Sequence, residues 1–471
     1  MAIARKIAYN VVFNVITKVI STLLALVSIG FITRYLGASG FGDYSTILAF
    51  FSFFGSLADL GLYAITAREV SRENADEEKI IGNAFTLRLL SSLLVFFISP
   101  IIIFFLPYSQ EVKTGIIVAA ASFVFSSTYM VLNGVFQKNL AMDKVAIAEV
   151  LGKVLQVVIV VLAVRENLGF AIIIMSMLAA SIFNFILVVW MVNKYVPLRP
   201  QFDYHYCKKF LRESAPLGIS AVVIFIYFKI DTIILSILKT NADVGIYNAA
   251  YKVIENISFF PAMIIGLIFP LLSRNIFTNK HEFERIANET VKVFMILVVP
   301  MVIGTLFLAP GIIHMIGGAA FVPSINTLRI LIFALAFIFF GGFFNNILIA
   351  ANLQKKMLYA FIACAVFNVV ANLIFIPLFS YTAAAIISTL TEFFVTLAGF
   401  YLTLKHVHYI PAVNHFFRIT LSGIAMGLVL HILGFLAFIP LAFFGLISYL
   451  FFLWITKTVT VKEIMDIALA R

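Results

Sequence analysis

Apolar runs of bilayer length recur along the whole chain, and no other feature constrains its fold as strongly. A helix needs about 20 consecutive apolar residues to cross the hydrocarbon core. In lipid the backbone must satisfy its own hydrogen bonds, which selects helices. Such runs lie at 9–33, 42–66, 81–106, 114–136, 145–164, 169–192, 214–237, 244–272, 290–310, 327–351, 357–376, 380–404, 414–432 and 435–456. Of 471 residues, 63% are hydrophobic and 12% charged. A soluble domain of this length could not hide so much apolar surface. The expected fold is all-α: a polytopic membrane protein of about 14 transmembrane helices.

Charge placement supports the count. With the first residues inside and the spans alternating, about 23 Lys and Arg fall on the cytoplasmic side and about 5 outside. This is the positive-inside bias. It predicts a multi-pass protein of the cell membrane with both termini cytoplasmic, and it accounts for the net charge of +11 without nucleic acid. Arg5 and Lys6 precede an apolar run too long for a cleaved signal, so that run reads as the first span. Cys207 and Cys364 stand apart without metal-ligand spacing, and no metal or other cofactor is expected. Asn288-Glu289-Thr290 fits a glycosylation sequon but falls inside.

The sequence also repeats itself. Gly42-Asp43-Tyr44 leading to Ser71-Arg72 matches Gly245-Ile246-Tyr247 leading to Ser273-Arg274. Asn133, Asn139-Leu140 and Lys144 match Asn346, Asn352-Leu353 and Lys356. Both matches share nearly one offset. Six spans separate the copies, so both have the same orientation, as in parallel-repeat transporters. The expected organisation is an N-terminal six-helix lobe (1–193), a cytoplasmic linker (194–213), a C-terminal six-helix lobe (214–404), and two additional helices with a tail (405–471). The lobes are expected to be related by an axis along the membrane normal, with alternating access to a substrate site between them. Within the linker, 202–213 reads either as a short interfacial helix or as a solvated connection.

Ionisable residues inside spans are costly and mark pathways or partners. The basic ones are Lys18, Arg88, Lys153, Lys229 and Lys252. The acidic ones are Asp59, Glu149, Asp231, Glu255 and Glu392. Glu149 with Lys153, and Lys252 with Glu255, have the spacing of helical ion pairs. Arg88 and Asp59 lie near enough to the cytoplasmic side to snorkel. Lys18 is the deepest, on a stripe of Asn14, Ser21, Ala25 and Ser28 that suits either a cavity or close helix packing. Asn248, Lys252, Glu255 and Phe259 share one face of a span that Pro261 and Pro270 interrupt. That span reads as a gate or as a static kink carrying its own ion pair. Asn368 and Asn372 are explained by interhelical hydrogen bonding.

Other motifs carry no chemistry. Gly37, Gly40 and Gly42 have the wrong spacing for a phosphate loop and read as a turn between spans. His406, His408 and His415 read as solvated residues of a cytoplasmic loop. No Ser/His/Asp or Cys/His constellation is present.

Several stretches resemble the polysaccharide-unit flippases of the multidrug/oligosaccharidyl-lipid/polysaccharide exporter superfamily. They are Arg34-Tyr35-Leu36-Gly37 through Phe41-Gly42-Asp43-Tyr44, Leu57-Ala58-Asp59-Leu60-Gly61-Leu62 with Arg68-Glu69, Ala215-Pro216-Leu217-Gly218, and Gly245-Ile246-Tyr247-Asn248-Ala249-Ala250-Tyr251-Lys252 leading to Pro261 and Pro270. The resemblance covers the whole chain. It implies two six-helix lobes around a central, often cationic cavity. It also implies movement of polyprenyl-diphosphate-linked oligosaccharides, driven by an ion (H+ or Na+) or the membrane potential without ATP. Twelve spans are usual in the O-antigen branch and fourteen in the peptidoglycan-precursor branch.

On this reading the protein is a transporter and not an enzyme. Lys18, Lys153, Lys229 and Lys252 would bind the diphosphate, and Asp59, Asp231, Glu255 and Glu392 would serve ion coupling or gating. A cation-coupled multidrug antiporter of the same superfamily is the alternative, kept by Asp59, Asp231 and Glu392. A polysaccharide polymerase or ligase ranks below both, because the longest outside loop, 311–326, offers only His314 as a titratable group. Reporter fusions at Lys113 and Arg471 are expected to report opposite sides of the membrane; the same side at both would break the span count.

Overall fold

Every apolar run folds as helix, and among the described residues there is no strand. The computed structural model describes residues 2–59, 61–72, 75–412, 415–456 and 458, apart from the side chains of 2–12, 15, 59, 64, 216–217 and 220–221. Ten stretches are long and apolar enough to cross a membrane. Two of these contain a break, at Gly37 and at Ser380. With Tyr204–Leu238 and the shorter Phe416–Ile432 the membrane segments number 14, as expected.

The chain forms two compact units, Met1–Gly245 and Ile246–Arg471. The first contains α1 (Ala2–Asp59), α2 (Leu62–Val70), α3 (Glu77–Phe104), α4 (Gln110–Met130), α5 (Asn133–Lys138), α6 (Met142–Arg165), α7 (Phe170–Val192) and α8 (Tyr204–Leu238). Here α1 packs on α4, α6 and α8, while α7 packs on α4 and α6. Next comes α9 (Asn241–Ile257), which opens in the first unit and continues in the second. The second unit holds α10 (Phe259–Asn275), α11 (Lys280–Gly317), α12 (Ser324–Ala350), α13 (Gln354–Val407), α14 (Phe416–Ile432) and α15 (Phe438–Ile455). In it α12 packs on α10, α11 and α13, and α14 and α15 pack on α11 and on each other.

The glycine punctuation of the first repeat divides its labour. Gly37 takes φ +65°, a left-handed conformation that breaks α1. Its neighbour Tyr35 accepts a hydrogen bond on its hydroxyl from the Gly169 N–H at the start of α7 (3.1 Å). Gly42 serves close approach instead: a Cβ there would stand 1.7 Å from the Asn241 carbonyl oxygen. A Cβ on Gly245 would stand 2.0 Å from the Ala38 oxygen. Each glycine of the two G-x-Y motifs thus faces the carbonyl four residues before the other.

α1 ends at Asp59, and Gly61, just before α2, has φ +68°. A helix end leaves unpaired carbonyls. Arg88 of α3 meets this need by donating to the Ala58 oxygen (2.5 Å) and to the Ser127 oxygen (3.2 Å). Arg88 is only 3% exposed. It does not snorkel, contrary to the sequence expectation, because the break in α1 supplies its acceptors. The side chain of Asp59 lies outside the described residues.

The stretch 202–213 is neither a separate interfacial helix nor a free connection. From Tyr204 it forms the opening turns of α8. Asp203 caps that helix, its carboxylate accepting from the N–H groups of Tyr206 and His205 (both 3.1 Å). The Lys79 ammonium lies 3.0 Å away. The Tyr206 amide above all, then Lys79, holds the Asp203 carboxyl below the usual aspartate range. Asn83 accepts from the Asp203 N–H (2.6 Å), and Arg68 bridges Glu69 and Glu213. Cys207 and Phe210 bury their side chains against Val70, Phe136 and Val196. The segment 193–213 is therefore a strap fixed across the end of α3.

Lipid offers no hydrophobic drive between helices, so association relies on close packing at small residues. The second unit uses Gly423 and Gly427, four apart on α14, against Val299 and Ile303 of α11. Replacing Gly42 with Ala is expected to destabilise the folded protein by about 1–3 kcal/mol through overpacking against backbone. Gly266→Ala, where a Cβ meets nothing within 4 Å, is the neutral comparison. Thermal unfolding in detergent checks both, and an unchanged midpoint for Gly42→Ala would contradict the contact.

Candidate functional site

A charge inside an apolar bundle needs a partner, water or a ligand, and the first unit gathers several such groups. Lys18 is half-buried on α1. Glu149 of α6, the helix packed against α1, lies close enough to Lys18 for their charges to interact. One turn further along α6 the Lys153 ammonium donates to Gln156 Oε1 (2.9 Å). Tyr129 of α4 feels the charge of Glu149 and reaches Asn184 of α7. Gly152 lets α7 in, since a Cβ there would stand 2.2 Å from Asn184 Oδ1. Four helices thus contribute to one polar cluster, Lys18, Tyr129, Glu149 and Asn184, with Lys153 one turn along α6.

The other sequence-predicted residues are spread more widely. On α8, Asp231 is buried with one carboxylate oxygen accepting from the Thr232 N–H (2.6 Å), and Lys229 is half-buried. On α9, Lys252 and Glu255 form the ion pair expected from their spacing (2.7 Å). The helix break lies at Ser258, three residues before Pro261, while α10 runs through Pro270. Glu392 is buried in the second half of α13, beside Cys364. Its neighbour Thr391 accepts from Asn368 (3.0 Å), and Asn368 accepts from Asn372 (3.0 Å). Asn368 therefore joins the two halves of α13, with Asn372 behind it on the same half.

Lys18 falls in the cluster together with Glu149, and Lys153 stands one turn further along α6. Lys229 and Asp231 are on another helix of the same unit; Lys252, Glu255 and Glu392 belong to the second unit. Sequence reasoning noticed Glu149 but assigned it to Lys153 by spacing on one helix. Tyr129 and Asn184 carried no signal, because an isolated Tyr or Asn in a span says nothing about its neighbours across the bundle. Among the described residues no group of three His, Cys, Asp or Glu could hold a metal ion.

Comparison with known proteins bears on what such a bundle does. Residues 7–276 match the family described as polysaccharide biosynthesis protein. The chain belongs to this family. A relative from Haloferax volcanii, named "Probable low-salt glycan biosynthesis flippase Agl15", is 23% identical over 395 residues, 83% of this chain and 80% of that protein. Among solved structures, the lipid II flippase MurJ in an inward closed conformation superimposes with a TM-score of 0.76 at 17% identity. The match covers 98% of this chain and all of the other. An inward-facing multidrug resistance MATE family transporter of the MOP superfamily gives 0.70 at 16% identity, covering 84% of this chain and 98% of the other. This member of the polysaccharide biosynthesis family therefore has the all-helical fold of those transporters and is a multi-pass membrane protein.

If Lys18 and Glu149 interact directly, their replacements are not independent. A double-mutant cycle with Lys18→Met and Glu149→Gln, read by thermal unfolding, is expected to give a coupling of about 1 kcal/mol. Strict additivity would mean that the two side chains do not meet.

Proposed function

We propose that this protein flips lipid-linked oligosaccharides across the cell membrane, as a transporter and not as an enzyme, with both termini cytoplasmic. The observation that carries the reading is a lysine-bearing polar cluster inside an apolar bundle of a polysaccharide biosynthesis family member. Relatives and fold neighbours named as glycan and lipid II flippases support it.

The chemistry follows from charge in a dry environment. A diphosphate linking sugar to polyprenol carries negative charge that must leave water to pass the bilayer. Cations and hydrogen-bond donors preset in a low-dielectric site repay that cost. Lys18 is the primary contact, Lys153 supports it from α6, and Tyr129 and Asn184 add donors. Glu149 is the resident counter-ion. When the diphosphate takes Lys18, Glu149 is left without it and takes up a proton to stay neutral. Substrate entry and proton uptake are then one event, which makes H+ the coupling ion. Lys229 and Lys252 receive the headgroup later in the cycle; Asp59, Asp231, Glu255 and Glu392 respond to the same gradient. The repeat copies, 1–193 and 214–404, are the moving bodies, and 405–471 is an addition to them.

A second reading has one specific observation behind it. The fold likeness extends to a multidrug resistance transporter, and Asp231 and Glu392 are buried acids of the kind a cation-coupled drug antiporter would use.

The test is transport in proteoliposomes holding the purified protein and an undecaprenyl-diphosphate-linked oligosaccharide. Lys18→Ala is expected to reduce flipping at least tenfold with insertion intact, and Lys18→Arg to keep much of it. Glu149→Gln is expected to keep substrate binding while removing the response to a pH gradient. Normal flipping by folded Lys18→Ala would exclude the assignment. Efflux of a cationic drug with no lipid flipping would favour the second reading.

A further inference from the structure

The two halves of α13 form an antiparallel hairpin whose contacts share one register. Lys356 Nζ meets His406 Nε2 (3.0 Å), Phe367 stacks edge-on against Phe394 (centroids 5.1 Å), and Asn368 donates to Thr391. The same register sets Tyr359 and Tyr401 at one level of the hairpin. Both are strongly exposed, at 73% and 55%. Tyrosines with an apolar body and a wet hydroxyl mark the membrane–water boundary.

Cations crowd the end of the hairpin just beyond these rings. Lys355, Lys356, Lys405 and His408 are exposed around His406. Lys405 Nζ lies 5.7 Å above the Tyr401 ring. Lys356, Lys405 and His408 all act on the charge of His406. A lysine ammonium can only donate, so its bond to His406 needs a neutral imidazole accepting at Nε2. Desolvation first, and then the charges of Lys356, Lys405 and His408, favour that neutral form. The packed helix α12 brings no carboxylate, its one charged residue being Arg329 near its start. On α11, Glu284 reaches Tyr409 of the adjoining loop. On the other side of the tyrosines, Val366 and Val370 of the first half and Leu390 and Leu397 of the second are exposed. An apolar stripe therefore continues directly from the cationic end.

We propose that this end of the α13 hairpin holds the phosphate headgroup of an anionic phospholipid, with the acyl chains lying along the stripe. Lys355, Lys356 and Lys405 neutralise the phosphate, His406 becomes free to take a proton, and Tyr359 and Tyr401 flank the glycerol region. The adjoining stripe selects a lipid over a free phosphate, which has no chains to place there. This site is separate from the Lys18 cluster and does not depend on the transport reading.

The test uses the purified full-length protein in uncharged detergent. Retained lipid is read by native mass spectrometry after titration with phosphatidylglycerol, phosphatidylcholine or inorganic phosphate. Phosphatidylglycerol is expected to be retained at least tenfold better than phosphatidylcholine. The triple variant Lys355→Gln, Lys356→Gln, Lys405→Gln is expected to lose that preference. Lys208→Gln, Lys209→Gln, which removes an equally exposed basic pair on α8, is expected to keep it. An unchanged thermal midpoint in phosphatidylcholine confirms that the triple variant is folded. Equal retention of both lipids, or full preference in the triple variant, would overturn the proposal. So would displacement of phosphatidylglycerol by equimolar inorganic phosphate, which would assign the cations to a free anion.

Discussion

A backbone polar group without a partner is intolerable in hydrocarbon, and the breaks in these helices show how the chain meets that condition. Two of the interruptions come with their own donors or acceptors. Where α1 stops at Asp59, the guanidinium of Arg88 takes the Ala58 and Ser127 oxygens. Where α9 gives way to α10, the Ser258 N–H reaches the Ile254 oxygen (2.8 Å) and its hydroxyl reaches the Glu255 oxygen (2.8 Å). Pro261 falls in the first turn of α10, where the missing N–H costs nothing. Arg88 thus has a backbone role at the end of α1.

The same economy separates two kinds of intramembrane charge. Arg88 donates to two backbone oxygens, and Lys252 pairs with Glu255 on its own helix. Lys18 and Glu149 stand on different helices, so their approach depends on how α1 and α6 pack. A bond made between helices can be exchanged for a bond to a ligand without unfolding either one. That exchangeability is what the proposed anion-binding role of the cluster on α1, α4, α6 and α7 rests on. The packing that holds it is tight where side chains are small, as at Gly152 against Asn184.

Much of this was legible before any coordinates. Helical class, the number of spans and the membrane location follow from run length, because bilayer thickness fixes how many apolar residues a crossing needs. The family resemblance rested on Gly37, Gly42 and the Asp59-Leu60-Gly61 stretch, and the match over 7–276 agrees with it. The ion pair of Lys252 with Glu255 and the bonding of Asn368 were also readable, the first from helical spacing and the second from the cost of a lone amide in lipid. Arg88 was misread because position along a span reports depth and not what lies beside it. The strap at 193–213 was half-read: its amphipathic residues were visible, but not that Asn83, Lys79 and Gly82 wait for it on α3.

Sequence by itself determined the helices and their number, since these depend above all on apolar length; it placed turns near Gly37 and Ser380 but ran one span through Gly61 and read an interruption at Pro270. It also marked Gly42 and Gly245 as equivalent through the repeated G-x-Y. Only the tertiary structure decided that each of these glycines faces a carbonyl of the other's helix, that Arg88 closes the end of α1, and that Glu149 answers to Lys18 of another helix. The reason is physical. In a uniformly apolar solvent every lipid-facing rotation of a helix costs about the same, so hydrophobic pattern does not orient it. Orientation is set by small-residue contacts and polar partners contributed by other helices, and those exist only once the bundle has formed.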